Sequence, residues 1–174
     1  TIATTVEGIR QAILGFRAAG GRTVLVPNLP NLGLIPLVTR NGPRVSLAAR
    51  NLSLAYNAAL ATMLDTIVGI DIVRFDTFEF ITDVVANPSN YGFTNATQPC
   101  YSGFVTPDPT ATECSDPDAH VFWDGEHPTT KLHAVIADLL YESVLLCQSS
   151  GGARADTTAS DRARFVSRCK VGAH

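Results

Sequence analysis

A chain of 174 residues with 45% hydrophobic and 17% charged side chains has the make-up of one globular domain and not of a disordered segment. Its net charge of −3 and pI near 5.7 give no electrostatic basis for binding nucleic acid. No apolar run reaches the roughly 18 residues that a membrane-spanning helix needs. Taken in order, residues 3–18 place Val6, Ile9, Ile13, Leu14 and Phe16 at near-helical spacing, and Gly20-Gly21 stop that helix. Thr23 to Val26 is short, β-branched and bounded by glycine and proline, which predicts a buried strand. From Pro27 to Pro43 the recurrence of proline, glycine and asparagine predicts irregular loop. That loop leaves the C-terminal end of a strand, where open α/β sheets bind ligands; a plain connector fits the same composition.

Val45 to Val68 reads as one long helix whose apolar face includes Leu47, Leu52, Leu54 and Leu64, with Met63 as core filler. Gly69 ends it. Ile70 to Phe75 is a second strand, and Asp76 caps a helix running through Val85 on the apolar positions Phe78, Ile81 and Val84. This alternation predicts a parallel sheet covered by helices. Asn87 to Val121 is a long loop broken by Pro88, Pro99, Pro107, Pro109 and Pro117, and loops of that length carry a function or a staple. A helix is expected from Pro128 to about Cys147, then a Ser/Gly/Thr-rich stretch. A short basic helix from Ala159 to Lys170 closes the chain, with Arg162, Arg164 and Arg168 on a solvated face.

Cys100, Cys114, Cys147 and Cys169 fit no zinc spacing. An even count in loop-rich sequence predicts two disulfides formed in an oxidising compartment, with sequence neighbours paired as Cys100–Cys114 and Cys147–Cys169. The alternative is four buried thiols. Asn51-Leu-Ser53 and Asn95-Ala-Thr97 match the glycosylation acceptor pattern, the first on a predicted helix and the second in a loop.

The chemistry concentrates in Phe122-Trp-Asp-Gly-Glu-His-Pro-Thr-Thr130. Asp124 and His127 lie three residues apart on a turn feeding a helix with Leu132, Val135, Ile136, Leu139 and Leu140 in helical phase. Pro128 suits the first helical position. Such a turn brings the carboxylate to one imidazole nitrogen, fixes the tautomer and leaves the other nitrogen to take a proton. A simple helix-entry device uses the same two residues. A metal site built on His120, His127 and His133 is disfavoured, because His127 and His133 are six apart and do not share a helical face. No metal or organic cofactor is expected.

The string from Phe122 to His133 closely resembles the last sequence block of the GDSL, or SGNH, esterases and lipases. Val24 to Pro36, Ala49 to Leu60 and Val84 to Asn95 resemble other stretches of that family in the same order, so the resemblance spans about residues 1–146. It implies a flavodoxin-like three-layer α/β/α fold, of which residues 1–146 are the C-terminal part and residues 147–174 a disulfide-pinned tail. It also implies that Asp124 and His127 complete a Ser-His-Asp triad acting on carboxylic esters of a lipid, a short acyl group or an acylated sugar. The family's Gly-Asp-Ser block and its Gly-x-Asn-Asp block do not occur in these 174 residues. Ser149 and Ser150 lack the strand-turn-helix setting of a nucleophile, and Ser46 and Ser53 fall within the long helix. The expectation is therefore the C-terminal half of a secreted esterase, with serine and oxyanion hole outside this chain. Its partners would be the N-terminal half of the same enzyme or a second copy. A non-catalytic binding or structural module is the alternative.

Overall fold

The computed structural model describes residues 1–104, 108–149 and 164–170, with residues 149 and 166–170 described by their backbone alone. The elements in order are α1 (Ile2–Ala18), β1 (Thr23–Pro27), a short α2 (Pro36–Thr39), α3 (Pro43–Thr66), β2 (Asp71–Phe75), α4 (Thr77–Ala86), α5 (Thr130–Ser149) and β3 (Val166–Lys170). α1, α3, α4, α5 and the first two strands fall within a few residues of the positions their periodicity predicts, whereas the one-turn α2 lies in the Pro27–Pro43 stretch expected to be irregular, begun by Pro36 with its pre-set φ. The chain divides into two compact units. One holds Thr1–Leu29, Leu54–Thr77 and Leu139–His174; the other holds Pro30–Ser53 and Phe78–Asp138.

The first unit carries the sheet. Gly20, at φ 95°, lets the chain reverse after α1, and the amides of Gly20 and Gly21 donate to Arg17 and Phe16 carbonyls of the last turn. β1 and β2 run parallel in register, from Thr23 opposite Asp71 to Pro27 opposite Phe75. β2 is central in the order β1-β2-β3, and its Ile72, Val73 and Phe75 are fully or almost fully buried, as a strand covered on both faces requires. Val6 and Ile13 of α1 meet Leu60, Met63 and Leu64 of α3 and Val26 and Ile72 of the sheet in one apolar core. Each such side chain contributes about 1.5–3 kcal/mol by leaving water.

The sheet corrects one expectation. Residues 166–170 form a strand and not the end of a basic helix; residues 159–163 lie outside the described residues. β3 pairs antiparallel with β2, Val73 opposite Cys169, and Asp76 donates its N–H to Phe165 O at 2.8 Å. A dozen-residue helix is marginal in water, whereas β2 offers an edge of backbone donors and acceptors that must be paired. The ladder wins.

The second unit is mostly loop, held by particular contacts. Buried Asn31 accepts from Gly33 N–H at 3.2 Å and donates to Thr82 Oγ1 at 3.2 Å. Gly33 is required here: a Cβ would lie 2.4 Å from the Ser46 carbonyl oxygen. Ser53, fully buried, accepts from Leu32 N–H and donates to Ala49 O, so its hydroxyl is spent on packing loop against helix. α4 buries Phe78, Phe80, Ile81 and Val84. The Lys131 ammonium donates to the carbonyls of Gly92 and Asp118 and lies 4.8 Å from the Phe93 ring. The Cys100–Cys114 bridge forms as expected. Cys147 is also disulfide-bonded, and the side chain of Cys169, its expected partner, lies outside the described residues. Among the described residues no helix is long and apolar enough to cross a membrane.

Candidate active site

The segment from Val121 to Thr129 folds into a closed turn because its ends pair. Trp123 donates to His127 O at 2.8 Å and Thr129 donates to Val121 O at 3.0 Å. These two bonds flank the Phe122–Pro128 bridge, leaving that pair without hydrogen bonds of its own. An antiparallel ladder asks for no donor at such a position, so Pro128 fits at no cost. The expectation of Pro128 as first helical residue is thereby corrected. α5 starts at Thr130, and Thr129 caps it: its Oγ1 accepts from Leu132 N–H at 3.4 Å and donates to His120 O at 2.8 Å. A side-chain acceptor outweighs a pre-set φ in choosing where the helix begins.

The turn is anchored outside itself. Cys100 and Tyr101 donate to the carbonyls of Phe122 and Trp123 at 3.0 and 2.6 Å, and Leu37, in the first turn of α2, donates to Gly125 O at 2.7 Å. Tyr101 stacks on Trp123 with ring centroids 5.5 Å apart and planes 14° from parallel.

Within this frame Asp124 is 5% exposed. Its Oδ1 accepts from the backbone N–H groups of Glu126 at 2.8 Å and His127 at 2.7 Å. Both carboxylate oxygens reach His127 Nδ1, at 3.0 and 2.9 Å. Burial works against ionisation of Asp124, but the N–H groups of His127 and Glu126 and the imidazole outweigh it, holding the carboxyl below its usual range. A carboxylate only accepts, so Nδ1 carries the proton and Nε2 is left with its lone pair. The imidazole is the exposed member, its side chain 54% accessible against 7% for the aspartate. Phe104 lies 6.1 Å from it, ring to ring. The arrangement is a fixed, oriented imidazole with one open nitrogen, the form a general base takes.

His120 and His133 do not join this pair. His120 Nδ1 contacts Gln98 O at 3.1 Å, and His133 is exposed on α5. Among the described residues no cluster of three His, Cys, Asp or Glu side chains is arranged around a metal.

Beside the turn opens a cleft of about 710 Å³, walled by Leu37, Arg40, Gln98, Tyr101, Phe104 and Gly125 among others. Except for Gly125, which belongs to the motif, sequence reasoning did not single out these residues. The available signal was indirect: a long proline-broken loop carrying two cysteines, which pointed to the segment but to no particular side chain.

A family model described as GDSL-like Lipase/Acylhydrolase matches residues 1–140. Three relatives from Arabidopsis thaliana are similar to this chain. GDSL esterase/lipase At1g74460 is 32% identical over 147 residues, covering 78% of this chain and 40% of its own length. GDSL esterase/lipase At3g50400 is 31% identical over 152 residues, covering 78% and 41%. GDSL esterase/lipase APG is 32% identical over 139 residues, covering 71% and 39%. The chain thus spans about two fifths of the length of these relatives.

Proposed function

This chain belongs to the GDSL-like lipase/acylhydrolase family, and from that premise we propose that it supplies the histidine and aspartate of a Ser-His-Asp ester hydrolase. Asp124 orients His127. Through Nε2, His127 takes the proton of a serine hydroxyl as the oxygen attacks the ester carbonyl. It then delivers that proton to the leaving alcohol, and it repeats both steps with water to release the acid. The serine and the oxyanion hole lie outside these 174 residues, since neither a Gly-Asp-Ser nor a Gly-x-Asn-Asp block occurs among them. Oxyanion donors alone are worth several kcal/mol of barrier, so the chain by itself is close to inert.

The observation that carries the reading is the two-oxygen grip of a buried carboxylate on Nδ1 of an exposed imidazole. A helix-entry device needs the Oδ1 contacts to backbone N–H groups and leaves the ring unassigned. Residues 1–146 act as the C-terminal part of the hydrolase domain and residues 147–174 as its tail. The free edge of β1 among the described residues and the exposed Leu47 and Leu52 of α3 support association with the rest of the enzyme, or failing that with a second copy. The Cys100–Cys114 bridge supports an oxidising, secretory setting.

The test is p-nitrophenyl ester hydrolysis by the chain completed with the missing portion. His127→Ala lowers turnover by several orders of magnitude with the fold intact. Asp124→Asn lowers it too, through the wrong tautomer, on a scale of up to about 10⁴. Wild-type rates in His127→Ala would leave the chain a non-catalytic module on an esterase fold.

A further inference from the structure

We propose that the side-chain amide of Asn95 carries an N-linked oligosaccharide, and that of the two acceptor triplets in the chain, Asn95-Ala-Thr97 and Asn51-Leu-Ser53, the first is the one used. Such a modification is independent of the esterase reading and needs only the oxidising, secretory setting that the Cys100–Cys114 bridge supports. The amide of Asn95 is oriented by its neighbours. Its Oδ1 accepts from the backbone N–H groups of Thr97 at 3.1 Å and Gln98 at 2.9 Å. Two donors on one side are met only by the oxygen, so the amide has one orientation and Nδ2 faces away from the turn. Among the described residues Nδ2 has no hydrogen-bond partner, and it is not one of the buried atoms left unsatisfied. Nδ2 is the atom that bears an N-linked glycan. Around it Thr94, Thr97 and Gln98 are exposed. The backbone is held independently: Asn95 donates to Ala119 O at 3.0 Å and accepts from Val121 N–H at 2.8 Å, so a group on Nδ2 displaces none of these contacts.

In the transfer, Nδ2 attacks C1 of an oligosaccharide carried on a lipid diphosphate. The N–C1 bond forms, the C1–O bond to the diphosphate breaks, the lipid diphosphate leaves, and Nδ2 gives one proton to the transferase; nothing is oxidised or reduced. The transferase must hold the asparagine amide and the hydroxyl two residues on at the same time. At Asn95 both are free to be held. The turn is closed by residues 95–98 alone, a local asparagine turn that a chain adopts before it has folded. Thr97 is exposed, and its hydroxyl has no partner among the described residues. At Asn51 the amide is exposed but the hydroxyl is not. Ser53 is 0% exposed inside the 24-residue α3, accepting from Leu32 N–H and donating to Ala49 O. Using that triplet means unwinding α3 and withdrawing Ser53 from its packing. A hydrated glycan on Asn95 excludes protein contact, so the surface from Thr94 to Gln98 stays in solvent when the chain meets the rest of the enzyme.

The experiment translates the full chain behind a cleavable secretory leader in the presence of microsomes and keeps only the membrane-protected product. Peptide N-glycosidase removes the glycan and leaves aspartate at the asparagine that carried it, which peptide mass spectrometry locates. The expected product shows one glycosidase-sensitive gel shift, with conversion at position 95 and none at position 51. Asn95→Gln and Thr97→Ala each abolish the shift, and Thr97→Ser keeps it. Ser53→Thr gives both triplets the same hydroxyl residue and still leaves Asn51 bare. Protected product without a glycan, conversion at position 51 equal to or above that at 95, or a glycan gained on Asn51 in Ser53→Thr would each overturn the proposal. A His127→Ala chain takes the same glycan, so the outcome is read without reference to turnover and fails or holds apart from the esterase reading.

Discussion

In the unit that carries the sheet, Val6, Ile13, Leu60, Leu64 and Ile72 are drawn from regular elements and buried against one another. In the unit that carries Asp124 and His127, a disulfide, a buried asparagine, a lysine shared by two carbonyls and a stacked Tyr–Trp pair hold irregular chain in place. Both units bury apolar side chains, Phe80, Phe93, Val121 and Leu132 among them in the second, but the second adds these directional contacts around its site. Apolar burial is non-directional and tolerates any side chain of suitable size and phase. Hydrogen bonds, rings and disulfides are directional, and each fixes one geometry. A base that must hold its open nitrogen toward a reacting atom needs the second kind of support, because small misplacements in such a site cost rate.

If that division is right, lesions in the two units have separable effects, visible by hydrogen exchange residue by residue. The largest is expected from Leu64→Ala, at 2% exposure in the sheet unit's core. It should cost about 2–5 kcal/mol in urea unfolding and raise exchange first in α1, β1 and β2. Next is Cys100→Ser combined with Cys114→Ser. Opening a bridge of sequence separation 14 should cost about 3 kcal/mol, with exchange rising between Cys100 and Cys114 and in the Phe122–Trp123 segment bonded to it. Equal loss of protection in the sheet would break the comparison. Thr129→Ala should cost about 1–2 kcal/mol, since it removes the cap of α5 and orphans the His120 carbonyl. Its exchange signature should be confined to the start of α5 and the turn before it.

The smallest effect is the most diagnostic. Asp124 has its carboxyl pKa lowered in the folded chain, so the unfolded state binds its proton more readily. Its contribution is present in full above the unfolded carboxylate value near 3.9 and is lost as pH falls through the lower folded value. Urea midpoints of the wild type and Asp124→Asn should therefore differ at pH 5 and converge as pH falls below 4. A difference that stays constant at acid pH would show that the carboxylate's charge is not what the turn uses.

Much of this was legible in the sequence. The periodicities of residues 3–18, 45–68 and 128–147 located three helices, the last with its start two residues early, and short β-branched runs located β1 and β2, because burial patterns are written at fixed spacing. Asp124 and His127 were legible because their contact is local: three residues of turn suffice to bring carboxylate to imidazole. Cys100–Cys114 followed from neighbourhood along the chain for the same reason. Tertiary structure alone decided what depends on partners distant in sequence. The Val166–Lys170 segment became a strand because the backbone of β2 was there to pair with it. The helix began at Thr130 because Thr129 found Leu132 N–H on one side and His120 O on the other. Arg40 and Tyr101, 61 residues apart, came to line one cleft because Leu37 is tied to Gly125 and Tyr101 to Trp123. Those bonds join backbone groups that every residue carries, so no side chain in the sequence announces them.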